Sequence, residues 1–565
     1  MDRFLNLIAA FKVRVAPYCT ILTLCKIVIS IALVVTPNLF AGTPMHAVLE
    51  LGELFLVYGG VLVLGKHLRY FSYVLSSLLT LLIVSQEWVH LFSGSFVTKI
   101  MLDNVQNLKA LGPALPKYIT IVVLVVIVSF LPVHFLRYPS PKFRITIIAL
   151  GGLFGVAVHM TQRTTAIKAT WIEYGVYRAA AKTAQKIAEN ERHKASIIRS
   201  FEKSSVSGGI KIDVKHANVI VIFAEGTSHK TIDETAAKYP GLMPNLTKFA
   251  TQTDNFVNYF NHTAPTYKGV RGQLFSSYQY DEGYWGTKNA KQIAERTDTP
   301  LIGVPQILRK RGYYTEFINP EPLHAQFTPY LKTLGFNRVI SGEKKTWSRS
   351  GSTTYLSDED NLKLLFNQAS NLNKQGKRFF LGTYTLETHN GWSVKDNHYG
   401  NGKNAVLNKF HNLDTVFGEF LSNFNASELR KNTVLIFTTD HASYPSPDYT
   451  GTMDDTQQGT FISKIPLMIY YPGIKPETID VKGRNSLALA PTVLDLLGIS
   501  KVKNYFLGTS LFTNQPTQYE NVSAIGESFY STRNAQLTSL PASMSKLKNK
   551  ILQYDSFSLN TIGKK

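Results

Sequence analysis

Cysteine is nearly absent, two among 565 residues. Both, Cys19 and Cys25, lie in the first apolar run, so nothing beyond residue 25 can form a disulfide or a thiolate metal site. Zinc fingers, cysteine nucleophiles and disulfide scaffolds are thereby excluded. Acidic residues are also scarce, 39 Asp and Glu against 60 Lys and Arg, for a net charge of +21. No basic stripe with interleaved aromatics sits on a recognisable nucleic-acid module, so nucleic acid is excluded as a partner; anionic lipid is the simpler counterpart. A content of 44% hydrophobic and 12% aromatic residues rules out a disordered or fibrous chain. The near-zero mean hydropathy averages a very apolar first 160 residues with a polar remainder, and a length over ~150 residues per unit predicts three or four units.

Runs long enough to cross ~30 Å of hydrocarbon lie near Tyr18–Val35, Ala47–Leu64, Tyr70–Leu91, Tyr118–Leu136 and Ile145–His159. Five crossings place the chain ends on opposite sides. Lys12 and Arg14, then Lys66 and Arg69, then Arg137, Lys142 and Arg144 mark the cytoplasmic side, whereas the Thr36–His46 link carries no Lys, Arg, Asp or Glu. Everything after His159 is expected outside the cytoplasm. The first run is too long for a cleaved signal peptide and reads as an anchor. Glu50 and Glu53 share a helical face in the second run, either lining a polar site or, as the simpler reading, snorkelling at a helix end. Residues 161–210 read as a basic juxtamembrane helix and linker, with a solvated linker helix as the alternative.

Beyond this linker, short apolar runs alternate with amphipathic stretches. Val219–Ala224, Phe379–Tyr384, Thr433–Phe437 and Pro466–Tyr471 read as buried strands; Met243–Ala250, Asp358–Ala369, Ala405–Leu421 and Ala488–Leu497 read as helices. That rhythm predicts a mostly parallel sheet flanked by helices, with ligands at the carboxyl ends of the strands. Glu225 follows one strand and Asp440-His441 another, a donor set suited to one divalent cation of the Mn, Mg or Zn kind.

From Asn218 to about Phe512 the chain resembles the alkaline-phosphatase and sulfatase superfamily. With its apolar N-terminal runs it is similar to the membrane phosphoglycerol transferases of the lipoteichoic-acid-synthase type and their phosphoethanolamine-transferase relatives. The resemblance rests on Asn218-Val-Ile-Val-Ile-Phe-Ala-Glu-Gly, Met243-Pro-Asn-Leu, the stretch from Asn261 to Tyr278, Thr439-Asp-His, Ala490-Pro-Thr-Val-Leu-Asp-Leu-Leu-Gly498 and Gly508-Thr-Ser-Leu-Phe512. It implies domains at 1–160 (five-span transmembrane bundle), 211–535 (extracytoplasmic α/β sulfatase-like catalytic domain) and 536–565 (C-terminal tail).

The resemblance implies Thr266 as catalytic nucleophile, eight residues before Leu274 as the family motif requires, with Thr263 as its rival. Sulfatases place a convertible cysteine there; a threonine argues against sulfate-ester hydrolysis. Glu225, Thr266, Asp440 and His441 would ligate the metal, and His389 would contact the substrate phosphate, a turn-forming histidine being the alternative. Lys268 and Arg271 are candidates for holding a phosphate or an anionic lipid, or are solvated helix charges. Trp285, Trp347 and Trp392 could stack on a sugar or fill core. His324 stands where relatives bind the transferred alcohol, in a sequence unlike theirs. No histidine follows His441, so one metal is expected rather than two.

The implied reaction moves a phospho-alcohol head group from a membrane phospholipid, through a phosphothreonine, to an envelope glycan or glycolipid, releasing diacylglycerol. The cysteine-free outer domain favours phosphoglycerol over phosphoethanolamine. The expected location is a bacterial cytoplasmic (inner) membrane, multi-pass, with the catalytic domain periplasmic or otherwise extracytoplasmic; the oligomeric state is not read from the sequence. The alternatives are a catalytically silent lipid sensor of the same fold and a phosphodiesterase that passes its intermediate to water.

Overall fold

The computed structural model describes residues 20–558 apart from 41–42, 65–67, 94–95, 98–100, 102–114, 136–139, 161–163, 176–177, 179–198, 207, 209–213, 215, 233–237, 280–289, 298–300, 322–325, 342–347, 351–352, 456–459 and 527. They fall into two compact units, one within Met1–Leu102 and Ala114–Arg178, the other mainly within Ala179–Lys565.

The first unit contains α1 (Ile21–Phe40), α2 (Pro44–Leu64), α3 (Arg69–Ser93), α4 (Leu115–Ser129), α5 (Pro141–Met160) and a further helix, α6, over 166–175. Four of them, α1, α2, α3 and α5, are long and apolar enough to cross a membrane. The run expected to form the fourth of five crossings instead gives α4, with 15 residues. At ~1.5 Å per residue it is about 22 Å long, short of ~30 Å of hydrocarbon. The helix stops before Pro132, which lacks the N–H that would continue it and clashes with the preceding turn. Five crossings put the chain ends on opposite sides and four on the same side, so the orientation of the second unit turns on α4.

Glu50 and Glu53 do not snorkel. Both are buried, and they accept the Ala166 and Ile167 N–H groups at 2.8 and 3.1 Å. They satisfy orphan donors at the start of α6, where negative charge also suits the helix dipole.

The second unit is built on an eight-stranded mixed sheet: β1 (Asn218–Ala224), β2 (Asp254–Val257), β3 (Tyr314–Ile318), β4 (Arg338–Ile340), β5 (Phe379–Tyr384), β6 (Thr433–Thr439), β7 (Leu467–Tyr470) and β8 (Thr478–Asp480), in spatial order β8-β2-β7-β6-β1-β5-β3-β4. β7 runs antiparallel to β2 and β6, and every other neighbouring pair is parallel. β1 is buried along its whole length because helices cover both faces. Val219, Val221 and Phe223 enter one core with α7 (Thr266–Phe275), α10 (Leu489–Leu496) and α11 (Ser545–Ser558). Ile220, Ile222 and Ala224 enter the other with α8 (Asp358–Lys374) and α9 (Ala405–Asn425). Helix starts follow capping chemistry: Ser357 Oγ accepts the Asp360 N–H at 3.2 Å, and the Asn404 side chain accepts those of Val406 and Leu407.

The two C-terminal sequence signatures interlock. Thr492 Oγ1 accepts the Leu511 N–H at 2.9 Å, and Ser510 Oγ donates to Asp495 at 2.6 Å. Arg484 is buried beneath them, donating to Glu520 at 2.6 Å and to the carbonyls of Thr509, Ser510 and Thr513. Within 536–565, α11 places Leu547, Ile551 and Tyr554 in the core.

Candidate metal centre and active site

A parallel sheet ends its strands on one edge, and this one gathers the chemistry there. Ala224 pairs with Thr439 and Phe223 with Tyr384, so Glu225, Thr385 and Asp440 leave β1, β5 and β6 side by side. The Glu225 N–H donates to Thr385 Oγ1 at 2.9 Å, and the N–H groups of Gly226 and His441 donate to Asp440 Oδ1 at 2.9 and 2.8 Å. Gly226 makes this turn at φ +50°, a region glycine enters without a Cβ penalty. Asp440 Oδ1 is thus committed to the backbone, while Oδ2 is buried with no hydrogen-bond partner.

Thr266 is the first residue of α7, and Gln273 fastens that helix by donating to the carbonyls of Thr439 and Asp440 at 2.8 and 3.3 Å. Thr266 Oγ1 donates to Glu225 Oε2 at 2.9 Å and lies 3.3 Å from His441 Nε2. The same nitrogen is 3.2 Å from Asp440 Oδ2 and 3.5 Å from Glu225 Oε1. His441 Nδ1 stands 2.8 Å from the Ala442 carbonyl. A carbonyl only accepts, so Nδ1 carries a proton and Nε2 is the ring nitrogen turned toward the two carboxylates.

These residues fit a metal. The donor atoms of Glu225, Asp440 and His441 lie within 4.8 Å of one another, and all three residues are buried. Burial, and next the Asp440 charge, push the Glu225 carboxyl well above the usual carboxylate range. Two carboxylates buried this close together are costly unless a cation joins them, and with the His441 nitrogen this donor set suits a divalent ion.

His389 follows β5. Its Nδ1 donates to the Asn390 carbonyl at 2.7 Å, and burial pushes its imidazole down to about 4, so at pH 7 it is neutral with Nε2 as acceptor. Lys409, on α9, donates to the His389 carbonyl at 3.0 Å; burial pushes its ammonium down to about 8. Glu321, beyond β3, is raised to about 7, by burial first and with a further push from the charge of Asp440. Sequence reasoning missed both groups. Glu321 carried the same sign as Glu225, an acid just after a strand, whereas Lys409 is one of many helix lysines and only tertiary packing brings it to His389.

Lys268 and Arg271 are buried in α7, so they are not solvated helix charges. The Arg271 guanidinium lies 5.1 Å over the Phe275 ring and donates to Ser277 Oγ at 3.4 Å, and Lys268 Nζ lies 5.8 Å over the Tyr267 ring. Thr263 Oγ1 donates to the Ala264 carbonyl at 3.4 Å. Trp392 packs edge-on against Tyr355 at 4.6 Å, the core fate of a tryptophan. His324, Trp285 and Trp347 lie outside the described residues.

Known proteins resemble the chain at low identity. It is 22% identical over 524 residues to phosphoglycerol transferase I of Xanthomonas campestris pv. campestris (strain B100), covering 86% of this chain and 67% of that protein. With phosphoglycerol transferase I of Escherichia fergusonii it shares 24% over 300 residues, 50% of this chain and 37% of that protein, so the match spans well under half of this relative. Among solved structures, the lipoteichoic acid synthase LtaP from Listeria monocytogenes aligns with a TM-score of 0.47 at 18% identity, covering 64% of this chain and 95% of that one. The family model described as Sulfatase matches residues 217–499, half of the sequence, from the strand that delivers Glu225 past the Ala490-Pro491-Thr492 motif and including Thr266, Asp440 and His441; the chain belongs to the sulfatase family.

Proposed function

We propose that this protein is a membrane-bound, metal-dependent transferase that moves phosphoglycerol from a phospholipid to an envelope glycan or glycolipid through a phosphothreonine at Thr266. The observation that carries this reading is the Thr266 hydroxyl, 2.9 Å from Glu225 Oε2 and 3.3 Å from His441 Nε2, beside the unpartnered Asp440 Oδ2. The similarity to phosphoglycerol transferases supports glycerol over ethanolamine. Residues 1–160 would anchor the chain and 211–535 carry the chemistry, with α4 and the non-helical residues 130–135 after it, whose backbone Thr23 hydrogen-bonds, together completing a fifth crossing.

Glu225, Thr266, Asp440 and His441 would hold one divalent cation. When bound it lowers the cost of an alkoxide at Thr266 and of negative charge on the phosphoryl oxygens. In the first half-reaction Thr266 Oγ attacks phosphorus and passes its proton to Glu225 Oε2, toward which it already points. The bond from phosphorus to the diacylglycerol oxygen breaks, and that oxygen leaves with the electron pair and takes the proton from Glu225, which returns to its carboxylate form. In the second, His389 Nε2 takes the proton of an acceptor hydroxyl, whose oxygen attacks phosphorus. The bond to Thr266 Oγ breaks, and the proton returns to Thr266. Lys409 supplies positive charge beside His389 for the phosphate.

Purified enzyme given labelled phosphatidylglycerol and Mn²⁺ should release diacylglycerol, faster with glycan acceptor than with water alone. Equal rates with and without acceptor would assign a hydrolase. No release from any phospholipid would favour the silent sensor.

A further inference from the structure

The first unit holds a second cluster of metal-binding type. His46 and Glu50 stand one turn apart on α2, and Glu87 and His90 stand three residues apart on α3. His46 Nε2 is 3.5 Å from Glu50 Oε1 and 3.3 Å from Glu87 Oε1. One donor atom each from His46, Glu50 and Glu87 lies within 4.8 Å of the others. Glu50 and Glu87 are 0% and 1% exposed.

Each carboxylate is half satisfied. Glu50 Oε1 accepts the Ala166 N–H at 2.8 Å, and Glu87 Oε2 accepts the Asn38 side-chain amide from α1. Glu50 Oε2, Glu87 Oε1 and His46 Nε2 are buried with no hydrogen-bond partner. His90 stacks near His46 at 5.3 Å, and Phe96 packs against both rings at 5.5 and 5.0 Å. With Glu53 also buried nearby, three carboxylates meet two imidazoles inside an apolar bundle. Such charge is very costly unless a cation joins it. The Glu87-x-x-His90 spacing on α3 is one by which helical bundles bind metals.

We propose that His46, Glu50 and Glu87 form a second divalent-cation site, independent of the Glu225, Asp440 and His441 centre, in which a Zn²⁺ or Mn²⁺ ion joins α2 to α3. One imidazole and two carboxylates are ligands both ions accept. The ion stabilises the folded bundle by an amount that rises with the logarithm of its free concentration once that exceeds Kd.

The test is equilibrium dialysis of the detergent-solubilised full chain against Zn²⁺ alone and Mn²⁺ alone, with bound metal counted by mass spectrometry. Wild type should hold two ions per chain, the E225Q/D440N variant one, and E225Q/D440N with E50Q and E87Q none. Because the glutamine changes could unfold the bundle, a second measurement uses E225Q/D440N unaltered in α2 and α3. Pulsed EPR of its bound Mn²⁺ should show nitrogen coupling that changes when histidine is ¹⁵N-labelled. Retention of the ion after E50Q and E87Q, or no ion of either kind in E225Q/D440N, overturns the proposal, and neither result touches the outer site.

Discussion

Gly269 lies directly against Asp440: a β-carbon added to it would stand 2.1 Å from the Asp440 carbonyl oxygen. That oxygen is fixed by the turn that aims Asp440 Oδ2 into the site, and α7 carries Thr266 three residues earlier. The close approach of helix to loop sets the distance between nucleophile and triad. Gly269→Ala must therefore push α7 from β6. Overpacking of this kind costs about 1–3 kcal/mol, and a displacement of ~1 Å at a reacting group costs about 10²-fold in rate. The expected result is a folded protein with a slightly lower unfolding temperature and at least that loss in kcat; unchanged kcat would mean that α7 does not position Thr266.

Lys409 sets a pH limit. Burial lowers its pKa to about 8, so the ammonium is present below that pH and lost as pH rises through it. Activity should fall on the alkaline side near pH 8. Lys409→Arg, charged throughout, should move that limb upward, and Lys409→Met should remove it while lowering kcat/KM about 10- to 100-fold at pH 7, the worth of a charged hydrogen bond. An alkaline limb unmoved in both variants would assign it to another group.

Arg484 makes the two C-terminal signatures structural rather than catalytic. Its guanidinium is buried with Glu520 at 2.6 Å and fixes the carbonyls of Thr509 and Ser510. Removing one partner of a buried pair costs about 3–5 kcal/mol. Arg484→Ala should thus fall well below wild type in thermal unfolding, with the loss reduced in the Arg484→Ala, Glu520→Ala double variant. Additive losses would show that the pair acts independently.

The orientation of the second unit depends on whether α4 crosses. In a chain with Cys19 and Cys25 changed to serine, a cysteine at the exposed Ser528 should react with a membrane-impermeant maleimide in intact spheroplasts. Labelling only after permeabilisation would leave four crossings and place the α/β unit in the cytoplasm.

Much of this fold is visible in the sequence because its signals are local. Val219–Ala224 and Thr433–Thr439 are apolar runs of strand length ending in acids, and the residues just past their ends, Glu225, Asp440 and His441, do meet. What escapes the sequence is non-local. Lys268 and Arg271 could be read as solvated helix charges, yet the turn of α7 buries both, beside the Tyr267 and Phe275 rings. Glu50 and Glu53 look like interfacial acids until α6 docks its N-terminus on them. Pro132 sits in an apolar run whose hydropathy hides the helix break.

The central claim is a covalent intermediate on Thr266. Detergent-purified enzyme should be incubated with Mn²⁺ and phosphatidylglycerol without acceptor, digested, and the peptide containing Thr266 examined by mass spectrometry. The account predicts a phosphoglyceryl group on Thr266 that disappears on adding acceptor, and no adduct in Thr266→Ala. An unmodified Thr266 in enzyme that still releases diacylglycerol would contradict it.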